Sequence, residues 1–218
     1  MEDFILKAVE LGVQGVDITT YWLKSTEPTY LASLRHLAYR NGIPFSGAAI
    51  ATHMCQPDAA KRAAELAKIK KWVDATELLG ASHLRVFGGE LPPGATEEQG
   101  VQWVVETMKP ACDYAANKGV ILGIESHGGI TSKASTIIEI IRRVDSPYAG
   151  INLDISNFPE NEYAQIEVCL PYATHAHIRD FFGQSKKPID LDRVWQMFAE
   201  AGYKGYMSAE YEGEVDSE

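Results

Sequence analysis

Seven short apolar runs punctuate this chain of 218 residues, and a longer stretch with helical spacing separates each from the next. The runs are GVDIT (15–19), FSGAAIA (45–51), HLRVF (83–87), VILGIE (120–125), GINLD (150–154), THAHI (174–178) and YMSAE (206–210). Several follow a turn signal such as Asn41-Gly42, Lys118-Gly119 or Lys204-Gly205, so each reads as a buried strand. Between them, apolar residues recur three and four apart. Leu66, Ile69 and Val73 predict a helix from about Asp58 to Leu79, with Asp58, just after Pro57, as its N-cap. Strands alternating with helices fold as parallel βαβ units with right-handed crossovers.

Two architectures satisfy that alternation, the open doubly wound sheet and the closed eight-stranded barrel. A dinucleotide-binding sheet wants G-x-G-x-x-G after its first strand. Here the first run leads into TYWLKS, and the Gly88-Gly89 pair after the third run is too short. What decides for the barrel is the polar residue at the downstream end of strand after strand, because a barrel rings all those ends around one mouth. No linker or composition break interrupts the chain, so residues 1–218 read as a single domain, long enough for a substantial core.

The last four runs carry Glu125 (GIESHGG), Asp154 (GINLDISNF), His177 (HAHIRD) and Glu210 (SAEYEG) at their downstream ends. A carboxylate buried at a strand end is costly unless a cation or hydrogen-bond donors hold it. Three of them converging on one mouth repel one another, and a divalent ion turns them into a coordination shell with one imidazole. Mn²⁺, Mg²⁺, Co²⁺ and Zn²⁺ all suit such a set, with Mn²⁺ taken first. His175 shares a strand face with His177 and reads as a supporting or core group.

The order Glu, Asp, His, Glu in the settings IESHGG, NLDISNF, HAHIRD and AEYEG resembles the xylose isomerase-like barrel superfamily, and within it the sugar phosphate isomerase/epimerase group. The resemblance runs from LGVQGVDI to GYMSAEYEG. It implies an α/β fold of the (β/α)8 TIM-barrel type with one divalent ion held by Glu125, Asp154, His177 and Glu210. It also implies that Glu125 and Glu210 are the metal-bound acid/base pair. Relatives of this kind begin with a strand before the first helix and carry a helix after the eighth strand. This chain opens on MEDFILKAVELG, which reads as a helix, and stops eight residues past Glu210. The barrel is therefore expected to lack its first strand and last helix, leaving unpaired edges on runs 15–19 and 206–210 that invite association, such as a homo-oligomer.

Around the four ligands, His127, Asn157, Arg179, His53 and Arg85 are the residues expected to meet a substrate. His127 lies two past Glu125, and Asn157 lies three past Asp154, where some relatives carry histidine. Arg179 follows His177 beside Asp180, Arg85 sits inside HLRVFGG, and His53 inside ATHMCQPD. Tyr21, Trp22, Phe87 and Phe158 offer apolar faces to a sugar, although core packing explains each equally well. The expected activity is isomerisation or epimerisation of a sugar or polyol derivative by proton transfer next to a carbonyl. Dehydration or β-elimination from a keto-sugar is the neighbouring alternative. A non-catalytic barrel subunit and an endonuclease-like repair enzyme are the readings from other classes.

A net charge of −10 argues against a nucleic-acid partner. No run approaches a membrane span, the N-terminus lacks a signal pattern, and Cys55, Cys112 and Cys169 show no paired spacing, so a cytoplasmic setting is expected.

Overall fold

The computed structural model describes residues 1–210. The Tyr211–Gly213 part of the AEYEG motif lies outside the described residues. In chain order the helices are α1 (Glu2–Leu11), α2 (Pro28–Arg40), α3 (Ala59–Leu79), α4 (Glu97–Ala116), α5 (Ala134–Val144), α6 (Glu162–Cys169) and α7 (Leu191–Glu200). The strands are β1 (Val16–Thr19), β2 (Phe45–Ala49), β3 (His83–Val86), β4 (Ile121–Glu125), β5 (Ala149–Asp154), β6 (Ala173–Ile178) and β7 (Met207–Ala209). Every expected run coincides with one of them to within two residues at either end.

The strands pair in parallel in sequence order, β1 through β7, forming a nearly closed TIM-type barrel of seven strands among the described residues. Helices cover the outside, so β2 and all but the first residue of β5 are buried throughout, as parallel strands covered on both faces must be. Local chemistry fixes the helix ends. Asp58 Oδ1 accepts the Ala60 and Lys61 amides at the start of α3, and Gly80 ends it in the left-handed region at φ 79°. Thr96 and Gln99 form a reciprocal capping box on α4. Helix α5 buries Ile137, Ile140, Ile141 and Val144 along one stripe, each contributing roughly 1.5–3 kcal/mol by leaving water.

The barrel is open at one seam. β1 and β7 are the terminal strands, and their outer edges carry no strand partner among the described residues. A groove of about 660 Å³ runs along this seam, lined by Phe4, Leu11, Val16, Trp195, Tyr206 and Met207. Side chains narrow it: the Tyr206 ring abuts Gly15, where an added Cβ would lie 3.0 Å from Cε1. The expected absence of one strand is thus met by a seam rather than by an opened sheet. No helix among the described residues is long and apolar enough to cross a membrane.

Three glycines shape the interior. A Cβ at Gly123 would overlap the His83 imidazole, one at Gly150 would overlap Thr174, and one at Gly47 would lie 2.8 Å from Asp17 Oδ1. These missing side chains make room for a polar layer beneath the mouth. There His83 stacks on His175 with ring centroids 4.8 Å apart, and its Nε2 lies 3.2 Å from Thr174 Oγ1.

Candidate functional site

Inward residues alternate along each strand. Gly123 precedes Glu125 on β4, Asn152 precedes Asp154 on β5, His175 precedes His177 on β6, and Ser208 precedes Glu210 just past β7. One ligand atom from each of Glu125, Asp154 and His177 lies within 4.8 Å of the others. Glu210 joins from the far side, its Oε2 3.3 Å from His177 Nδ1, while Glu125 Oε2 lies 3.8 Å from that nitrogen. All four expected ligands therefore meet at the C-terminal mouth, with Glu210 lying outside the tight threesome.

Each carboxylate is held firmly. Asp154 Oδ1 accepts the Ser156 amide at 2.8 Å and its hydroxyl at 2.6 Å, while Oδ2 accepts Asn157 Nδ2 at 2.8 Å. Arg179 Nη2 sits 3.3 Å from Asp154 Oδ2 and 3.0 Å from Glu210 Oε2. Glu125 lies 3.2 Å from Arg85 Nε and 3.0 Å from His127 Nδ1, and accepts Asn152 Nδ2 at 3.3 Å. Of the residues expected to meet substrate, Arg85, Asn157 and Arg179 thus grip the ligand carboxylates. His127, besides meeting Glu125, lines with His53 a cleft of about 200 Å³ beside the mouth, together with Thr52, Phe87, Glu90 and Thr131. Phe87 is sandwiched there between the Arg85 guanidinium and the His127 ring, each 4.1 Å from its centroid. Phe158 is buried in the core, whereas Tyr21 and Trp22 are exposed after β1.

Three partners escaped the sequence reading, Ser156 beside Asp154 being one of them. Asp17, within β1, places Oδ2 3.0 Å from His177 Nε2 and 3.3 Å from His175 Nε2. Asn152 reaches Glu125 from the middle of β5. For Asp17 and Asn152 the available signal was a polar side chain inside an apolar run, Asp in GVDIT and Asn in GINLD, two residues below a strand end in the second case.

The electrostatics follow from crowding. Burial pushes the Asp154 carboxyl up to about 6, helped by the Glu125 charge and opposed by Arg179 and the Ser156 donors. Burial works against charge on His177 too, but Asp17 and Glu210 outweigh it and raise the imidazole to about 10. Glu210 feels burial in the opposite sense, yet His177 and Arg179 bring it down to about 2. Burial also opposes ionisation of Asp17, and the hydrogen bonds from His175 and His177 overcome it, holding the carboxyl far below its ordinary range.

The donor set fits a divalent cation. Carboxylate oxygens with one imidazole suit hard or borderline ions. His177 Nδ1 is buried, faces two glutamates, and has the alignment of a hydrogen bond to neither. In the absence of an ion the surrounding carboxylates keep this imidazole protonated; a cation entering the ring would displace the Nδ1 proton and take the lone pair it leaves.

Below the site, His83 stays neutral. Burial first, and the nearby His175 charge next, lower it to about 3. Unfolded, the same side chain protonates near 6.5. Between those values the unfolded chain binds the extra proton, so this residue's share of stability is complete above 6.5 and is lost as pH falls toward 3. Its contribution approaches about 1.4 kcal/mol per pH unit. Urea titrations of wild type and His83→Gln at pH 7 and pH 5 are expected to show a smaller acid loss in the variant. Equal losses would remove His83 as a cause.

A parallel βα barrel that gathers three carboxylates and an imidazole at its C-terminal mouth defines a class in which the strand ends build the site. Within that class, the chain belongs to the xylose isomerase-like TIM barrel family, whose model matches residues 5–218. No curated protein matches by sequence. Among solved structures, the chain is similar to D-psicose 3-epimerase from Clostridium cellulolyticum, solved with D-tagatose. That likeness has 18% identity and a TM-score of 0.82, covering 99% of this chain and 82% of the other. It is similar at 16% identity and a TM-score of 0.82 to 3-keto-D-glucoside 4-epimerase from E. coli, covering 99% and 88%. A probable 3-DHS dehydratase from Bacillus anthracis matches at 15% identity and a TM-score of 0.77, covering 97% and 87%. At these identities the likeness establishes the fold.

Proposed function

We propose that residues 1–218 form one domain that acts as a divalent-metal-dependent isomerase or epimerase on a sugar or sugar derivative, moving a proton at the carbon beside a carbonyl. The observation that carries this reading is the meeting of Glu125, Asp154, His177 and Glu210 at the mouth. Those four residues would hold the ion, with Mn²⁺ first among Mn²⁺, Mg²⁺, Co²⁺ and Zn²⁺. Bound there, it would supply Lewis-acid polarisation of the substrate oxygens.

The chain's own residues do the rest. Glu125 projects from β4 and Glu210 from beyond β7, with His177 between them, so a sugar carbon entering the mouth has a carboxylate on either side. One takes a proton from carbon and the other returns one, which inverts a centre or shifts a carbonyl. Arg85 and Arg179 fix those carboxylates in place. The cleft at Phe87, His53 and His127 offers an apolar ring face and imidazole nitrogens to the sugar's far end.

The same proton abstraction expels a β-leaving group when the substrate carries one. The fold shared with a protein named as a probable dehydratase keeps that lyase reading second. Buried free thiols at Cys55, Cys112 and Cys169 accord with a reducing cytoplasm.

Metal content separates an enzyme from a non-catalytic barrel. Protein incubated with Mn²⁺, Co²⁺ or Zn²⁺ and desalted without chelator is expected to keep close to one equivalent per chain by elemental analysis. Retention of only a small fraction of an equivalent for all three ions would overturn the metal-dependent reading.

A further inference from the structure

We infer that Asp17 is a positioning residue that fixes which nitrogen of His177 faces the cation. This rests on the metal-dependent reading above and goes beyond it, because Asp17 is no ligand in that reading.

An ionised carboxylate only accepts hydrogen bonds. The 3.0 Å contact between Asp17 Oδ2 and His177 Nε2 therefore places a proton on Nε2. When a cation displaces the second proton of this imidazolium, the neutral ring has one N–H left, held on Nε2 by Asp17, so Nδ1 offers its lone pair to the ion. Nδ1 is the atom that points at Glu125 and Glu210. Had the ring turned over, the donor nitrogen would face the carboxylates and the lone pair would face Asp17. A carboxylate behind a ligating histidine sets ring orientation and raises its basicity.

The surroundings hold Asp17 to this task. Asp17 pairs across the sheet with Gly47 on β2, and a side chain at that position would reach to 2.8 Å from Oδ1. His175, the second neighbour of Oδ2, is pinned by a 2.8 Å contact from its Nε2 to Ser208 Oγ and by its stack on His83. Its ring meets that of His177 edge-on at 5.8 Å. Asp17 thus has little freedom to turn away from His177.

The test uses zinc-loaded, ¹⁵N-histidine-labelled protein, with zinc affinity from calorimetry beside the imidazole spectrum. Wild type is expected to bind zinc through His177 Nδ1 and to show a slowly exchanging Nε2–H. Asp17→Ala should lose that signal and bind zinc about 10- to 100-fold more weakly. Asp17→Asn keeps an acceptor oxygen and should retain the signal and much of the affinity. If Asp17→Ala fails to fold by circular dichroism, Gly47→Ala carries the test, because its methyl displaces the carboxylate and should weaken zinc binding in the same direction.

Equal affinity and an unchanged Nε2–H in the Ala variant would overturn the inference, as would coordination through Nε2. Two zinc ions per chain, one lost with Asp17, would overturn it too, since Asp17, His175 and His177 would then be ligands themselves. Wild type that binds no zinc, manganese or cobalt sinks the metal reading, and this inference with it. Wild type that binds while the variants bind equally well sinks this inference alone.

Discussion

Glu210→Gln is expected to slow deuterium wash-in from D₂O at the carbon beside a ketose carbonyl by roughly 10²–10⁴-fold, the contribution typical of a positioned acid or base. The substitution keeps the side chain's size and one oxygen near His177 Nδ1, so metal affinity should fall only in part. Asp154→Asn provides the contrast. Its carboxylate already accepts from Ser156 and Asn157 and faces Arg179, which marks it as a holder rather than a proton carrier. Its loss should appear mainly in metal affinity and be partly restored by excess metal. If Glu210→Gln exchanges as fast as wild type with metal saturating, the acid/base assignment fails and the mouth is a metal-held binding pocket.

Gly123→Ala should be among the most damaging single-methyl changes in the chain. The new Cβ would come within 2.6 Å of His83 Cε1 and 3.2 Å of Asn152 Cβ. His83 cannot step aside, being fully enclosed between His175 and Thr174. Overpacking of this kind costs about 1–3 kcal/mol, and each kcal/mol lowers Tm by about 2–4 °C for a chain of this size. His83→Ala alone leaves a cavity and is also destabilising. Combined, the two changes relieve each other, so the double variant should be clearly more stable than the sum of the singles predicts. Simple additivity in thermal melts would show that the methyl and the imidazole do not compete.

The strands were legible because parallel strands buried on both faces read as uninterrupted apolar runs, and all seven runs fall where β1 to β7 form. Helix α3 was legible from Asp58 and from the spacing of Leu66, Ile69 and Val73. The meeting of Glu125, Asp154, His177 and Glu210 was legible for a different reason: each lies at a strand's downstream end or within one residue of it, and the topology brings those ends together. What holds them was harder to see. Arg85, His127, Asn157 and Arg179 were read as groups that meet a substrate, and each also touches one of these carboxylates. One sequence does not say whether a cation near an acid serves the ligand or the acid. Asp17 was missed because it sits inside its strand and acts across 160 residues of separation on His177. Such a pairing is a property of the closed barrel and has no local signature.

The seam between β1 and β7 gives the site a mechanical role. Elsewhere neighbouring strands are laced by backbone hydrogen bonds, but across the seam the described strands have no such ladder. What spans it instead includes the packing of Tyr206 on Gly15 and the ionic bond from Asp17 on one rim to His177, which in turn meets Glu210 on the other. Asp17, His177 and Glu210 therefore act as a clasp of the barrel. The charges proposed to hold an ion thus tie two loose rims together, so a substitution made among them to tune the site should also slacken or tighten the barrel.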